Sequence, residues 1–79
     1  MTNEETKRVL ASNVRRLMEK EALSCRQLAQ RTGDSYVTIH RLLHADHVPG
    51  IGIVTRVASA LDTSVDYLLK NPDEVVVSA

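Results

Sequence analysis

Residues 24–43, SCRQLAQRTGDSYVTIHRLL, place two short amphipathic segments on either side of one glycine. Leu28 and Ala29 form the apolar step of the first segment. Apolar residues resume after Gly33 at Val37, Ile39, Leu42 and Leu43, with Tyr36, Thr38, His40 and Arg41 between them. That spacing predicts two helices, the second with one face to pack and one face left open. Ser24 with Gln27 three residues on is a capping-box pattern, and Gly33 suits the left-handed backbone that commonly ends a helix. Asp34 or Ser35 is the expected cap of the second helix, which fades near His44.

Working outward, Leu10, Val14, Leu17 and Met18 recur at the spacing of one helical face. They predict a first helix from Glu4 to Lys20 with Asn3 as its N-cap. Residues 45–50 read as a loop, with Pro49 and Gly50 as breakers. A fourth helix over Ile51–Leu61 offers Ile51, Val54, Val57, Ala58 and Leu61 to the core. Thr63 or Ser64 caps a short fifth helix through Leu69, with Val65, Leu68 and Leu69 as its apolar contacts. The expected architecture is all-α, one five-helix domain over residues 1–70, followed by a tail over 71–79 that either is disordered or joins a dimer contact.

Composition narrows the function. With 79 residues, no Trp, no Phe and two Tyr, the core must be aliphatic, which leaves nothing to build an aromatic ligand pocket or a base-stacking platform. The lone Cys25 excludes an internal disulfide and a structural zinc site of the usual kind. No apolar run is long enough for a signal peptide or a membrane span, so the expectation is a soluble, cytoplasmic protein with no cofactor and no small-molecule substrate. Ten basic and ten acidic residues cancel, yet residues 6–56 hold nine of the positive charges against Glu19, Glu21, Asp34 and Asp46. Such polarity lets one face meet phosphate while the acidic ends turn away.

The run from Leu10 to Leu69 resembles the phage repressor and Cro type of helix-turn-helix domain, the lambda-repressor-like fold. Leu10, Val14, Leu17, Leu23-Ser24, Leu28-Ala29, Gly33, Ser35, Thr38-Ile39, Arg41-Leu42, Pro49, Val57-Ala58, Ala60-Leu61, Ser64-Val65-Asp66 and Leu68-Leu69 carry the likeness by their joint, ungapped order. It implies a DNA-binding transcriptional regulator, a repressor in this reading, that occupies an inverted-repeat operator in double-stranded DNA as a homodimer and is not an enzyme. Three positions depart from the pattern. Cys25 stands where a phosphate-bonding Gln is frequent, Met18 and Leu43 stand where a charged pair is frequent, and Ala45-Asp46-His47 replaces a basic loop.

The resemblance puts Tyr36, Val37 and Arg41 at base edges, with His40 adjacent. Arg41 suits a bidentate guanine contact, and Val37 either touches a thymine methyl group or belongs to the core. Arg26, Ser35, Thr38 and His44 are the candidate phosphate contacts, although capping alone also accounts for Ser35. Leu68, Leu69, Val75, Val76 and Val77 are the candidate dimer contacts. His40, His44 and His47 would share one helical side if the helix ran far enough, but without carboxylate support they are not read as a metal site. The competing reading is a repressor-like protein-binding module, antirepressor or antitoxin-like, with little affinity for DNA. Zero net charge, Asp46 and Cys25 favour that alternative.

Overall fold

Thr2 starts the first helix. Its Oγ1 accepts the Glu5 N–H at 3.1 Å while Glu5 Oε1 accepts the Thr2 N–H at 3.1 Å. This reciprocal box makes Asn3 the first helical residue rather than the cap, because the Glu that closes the box lies three residues after Thr2. The computed structural model describes residues 2–71. Within them the elements are α1 (Asn3–Lys20), α2 (Cys25–Thr32), α3 (Tyr36–Leu43), α4 (Ile51–Ala60) and α5 (Val65–Leu68). Every regular element among the described residues is a helix, as the spacing predicted.

The other starts follow the side chains available. Ser24 and Gln27 close a second capping box, at 3.1 and 2.8 Å. Ser35 rather than Asp34 caps α3, and Ser64 rather than Thr63 caps α5. Gly50 begins α4 with no side-chain cap.

Helix ends show a device that the sequence hides. Gly33 takes the left-handed conformation at φ 79°, as expected, but Ala22, Ala45 and Asp62 take it too, at φ 55°, 53° and 55°. Each is the middle of the same closure. Leu23 N–H donates to the Met18 carbonyl at 2.8 Å, Asp46 N–H to the Arg41 carbonyl at 3.1 Å, and Thr63 N–H to the Ala58 carbonyl at 2.9 Å. These six-residue returns satisfy carbonyls that a helix end leaves open, and they bring the returning residue over the one five positions earlier.

Leu10, Val14, Met18, Leu28, Ala29, Ile39, Leu42, Leu43, Val54, Val57, Ala58, Leu61 and Leu68 form one buried aliphatic core. In it α3 packs on α1 and α2, α4 packs on α2, and α5 packs on α1 and α4. Met18 and Leu43 are both buried in that core, each 7% exposed, so the departure from a charged pair has become hydrocarbon packing. Ile51 corrects an expectation: it is 72% exposed. As the first residue of α4 it sits at the rim of a shallow groove of about 150 Å³, shared with Thr6, Leu10, Val48, Pro49, Val54 and Leu69.

One buried polar residue ties the ends of the fold together. Asn13, on α1, is fully buried, and its Nδ2 donates to the carbonyls of Leu68 at 2.7 Å, Lys70 at 2.9 Å and Tyr67 at 3.4 Å. Its Oδ1 accepts Arg16 Nη2 at 2.7 Å.

Candidate nucleic-acid interface

Two short helices fix the site. α2 ends at the left-handed Gly33, Thr32 Oγ1 accepts the Asp34 N–H at 3.2 Å, and Ser35 Oγ accepts the Thr38 N–H at 3.1 Å. Asp34 then receives Arg56 of α4 through two bonds, at 2.8 and 3.1 Å, which clamps the turn to the rest of the fold. The Arg56 guanidinium beside it holds the Asp34 carboxyl below the usual carboxylate range. With Ile39, Leu42 and Leu43 turned into the core, α3 presents Tyr36, Val37, His40 and Arg41 outward, and its C-cap His44 is exposed after them.

Val37 is 62% exposed, which resolves its two readings in favour of the open face. Tyr36, His40 and His44 run along α3 as a ladder of rings. The first two centroids are 5.6 Å apart, and the second two are stacked at 4.0 Å. His44 Nδ1 lies 2.8 Å from the His40 carbonyl. Across the turn, Arg26 of α2 places its guanidinium 5.3 Å from the Tyr36 ring centre, a cation–π contact. Arg26 thus stands at the rim of the α3 face, with no carboxylate partner among the described residues.

Arg41 is engaged. Its Nε donates to Asp46 Oδ2 at 2.9 Å, and both side chains remain about half exposed, at 54% and 55%. The Arg41 guanidinium in turn keeps the Asp46 carboxyl below its ordinary range, helped by His47 and Lys7. Ser35 and Thr38 are brought together by a 2.8 Å hydroxyl–hydroxyl bond, so both are part of the α3 cap.

His47 does not join His40 and His44, because α3 ends at Leu43 and His47 lies in the loop with a buried, unpartnered Nδ1. Among the described residues no group of His, Cys, Asp and Glu is arranged to hold a metal ion. Cys25 is half-buried, and burial pushes its thiol up against the smaller opposing pull of Arg26. Beside the end of α3, Arg8, Ser12 and Arg15 of α1 and His44 surround a cleft of about 330 Å³ floored by Ala11, Leu43 and Ala45.

Of the dimer candidates, Leu68 is withdrawn: it is fully buried beneath Asn13's anchored segment and has no surface to offer. Leu69 stays half-buried at the α4 groove, and Val75, Val76 and Val77 lie outside the described residues. Sequence reading missed Asp46 as the partner of Arg41 and Arg26 as the partner of Tyr36. The first pair follows from the six-residue return at the end of α3, which sets residues five apart against each other but has no glycine to announce it in the sequence.

A tight turn between two capped helices, with the second helix open on one side, defines a helix-turn-helix unit. The chain belongs to the helix-turn-helix domain family, whose family model matches residues 9–68. That family consists of DNA-binding domains without catalytic activity, and this chain is not an enzyme. Among solved structures it is similar to a hypothetical transcription factor, NHTF, from Neisseria, with a TM-score of 0.84 at 23% identity over 94% of this chain and 86% of that one. An HTH_3 family transcriptional regulator from Vibrio cholerae gives a TM-score of 0.79 at 23% identity, covering 91% of this chain and 47% of that one. These likenesses show the shared fold. No curated protein matches the chain significantly. Among the described residues no helix is long and apolar enough to cross a membrane.

Proposed function

We propose that this chain is a sequence-specific DNA-binding transcriptional regulator that represses by occupying its operator. Residues 1–70 form the DNA-binding unit, and the protein works in the cytoplasm. The observation that carries this reading is the outer face of α3, where Val37 and Tyr36 are exposed beside His40 and a half-exposed Arg41 on a rigidly capped eight-residue helix. The major groove admits such a helix and shows a distinct donor and acceptor pattern for each base pair. Arg41 meets a guanine, Val37 a thymine methyl group, and Tyr36 and His40 the neighbouring edges. Arg26 and His44 flank the helix and meet phosphate, with the capped Ser35-Thr38 turn between them.

One such helix spans few base pairs, so the reading extends to a symmetric dimer on an inverted repeat. Its half-site centres would lie about ten base pairs apart, roughly 34 Å, so that both helices reach one face of the duplex. The groove at Leu69 and Ile51 offers apolar surface for that pairing. The similar structures, a hypothetical transcription factor and a transcriptional regulator, support the reading as a DNA-binding regulator.

The test is a salt titration of binding to duplex DNA. Neutralising phosphates releases counterions, so affinity for any duplex is expected to fall steeply as salt rises. Absence of binding to duplex DNA at low salt would favour the protein-binding module instead.

A further inference from the structure

The return at the end of α3 puts Asp46 directly over Arg41. Ala45 takes the left-handed conformation, Ala45 N–H donates to the Leu42 carbonyl at 3.2 Å, and Asp46 N–H donates to the Arg41 carbonyl at 3.1 Å. In this closure the two juxtaposed positions commonly share an apolar contact. Here they share an ion pair, Arg41 Nε to Asp46 Oδ2 at 2.9 Å.

A pair this exposed contributes little to stability. It also places a negative charge beside a face expected to approach phosphate, which lowers attraction for every sequence alike. Its geometric effect is specific. A guanidinium has five N–H donors in a rigid plane, and occupying Nε leaves only the end edge, Nη1 and Nη2, for a second partner. That edge matches the O6 and N7 acceptors of guanine. Holding Nε also fixes the plane of a long side chain that would otherwise have to be ordered on binding.

We propose that Asp46 is a positioning residue that determines specificity: it holds Arg41 by Nε so that the terminal edge of the guanidinium reads one guanine in the operator. This rests on the DNA-binding reading above. Asp46 itself touches no base. It acts through Arg41, and it exchanges some general affinity for discrimination at one base pair.

The experiment uses the full chain and three duplexes: the site selected by the wild-type protein, the same site with the guanine that Arg41 reads replaced, and a generic duplex. Wild type, Asp46→Ala, Asp46→Asn, Arg41→Ala and the Arg41→Ala, Asp46→Ala double variant are compared. Asp46→Ala is expected to lower the preference for the guanine roughly fivefold or more while binding to generic duplex holds or strengthens. Asp46→Asn keeps an oxygen that accepts Nε, so it is expected to retain most of the preference although it removes the same charge. In the Arg41→Ala background, Asp46→Ala is expected to change the preference no further.

If Asp46→Ala and Asp46→Asn both keep the full preference and merely bind every duplex more tightly, Asp46 is only a repelling charge and the inference is overturned. A wild-type protein that binds no duplex overturns the functional reading, and this inference with it. A wild type that discriminates while the two Asp46 variants behave alike overturns this inference alone.

Discussion

Asn13 Nδ2 donates to the Leu68 carbonyl at 2.7 Å from a side chain with no solvent exposure, which fastens the middle of α1 to the end of the last helix. The same nitrogen also reaches the Tyr67 and Lys70 carbonyls, so one amide gathers the backbone at the end of α5. Asn13→Ala is expected to cost about 1–3 kcal/mol, the range for stranding buried polar groups. Asn13→Asp is expected to cost more, since it aims a carboxylate at carbonyl oxygens. Urea midpoints check both, and a wild-type midpoint in Asn13→Asp would contradict the role.

Met18 and Leu43 meet the core from α1 and α3. Leu43→Glu alone places an unpaired charge there and is expected to cost about 3–5 kcal/mol. Met18→Arg with Leu43→Glu is expected to recover part of that loss. Equal melting temperatures for the single and double variants would show that the two positions are independent.

Ala22 and Ala45 hold left-handed backbone that costs an L-residue about 1–2 kcal/mol relative to glycine. Part of that gain is offset by glycine's greater freedom in the unfolded chain. Ala22→Gly and Ala45→Gly are each expected to raise stability by about 0.5–1 kcal/mol in denaturant titration. Ala→Gly at Ala58, inside α4 and in the core, is expected to do the opposite.

The Asp34–Arg56 pair gives the fold a pH dependence of known sign. Its carboxyl is held below the ordinary value chiefly by Arg56, so the contribution is complete above the unfolded carboxylate range, about pH 4, and disappears as pH falls through the folded value. Asp34→Asn is expected to melt below wild type at pH 7 and to approach it as pH falls through the folded value. A difference that persists unchanged at low pH would mean that the carboxylate is not its source.

Much of this fold was legible because local chemistry and tertiary packing agree. The Ser24–Gln27 box, Gly33 and the spacing of Leu10, Val14, Leu28, Ile39, Leu42 and Val57 all point to one arrangement, and the structure has it. Ile51 was misread because periodicity reports a face of a helix but not where its neighbour stops. The left-handed Ala22, Ala45 and Asp62 were invisible because glycine is the usual signal for that backbone. Asn13 gave no warning either, since a lone Asn in a helical pattern reads as surface until the segment it caps is in place. At the candidate interface, the exposed side of α3 could be read from spacing, whereas the Arg41–Asp46 and Arg26–Tyr36 contacts depend on how two turns are closed.

Enrichment of operator sequences from a random duplex pool, run in parallel for wild type, Arg41→Ala and Arg26→Ala, tests the central claim most directly. The wild type is expected to return an inverted repeat with half-site centres about ten base pairs apart. Arg41→Ala is expected to lose about 1–3 kcal/mol on that site and relax the preference at one base pair in each half. Arg26→Ala is expected to return the same site with weaker binding to all sequences and a shallower salt dependence. A site profile from Arg41→Ala identical to that of the wild type would contradict the account, because the outer face of α3 would then not be the surface that reads DNA.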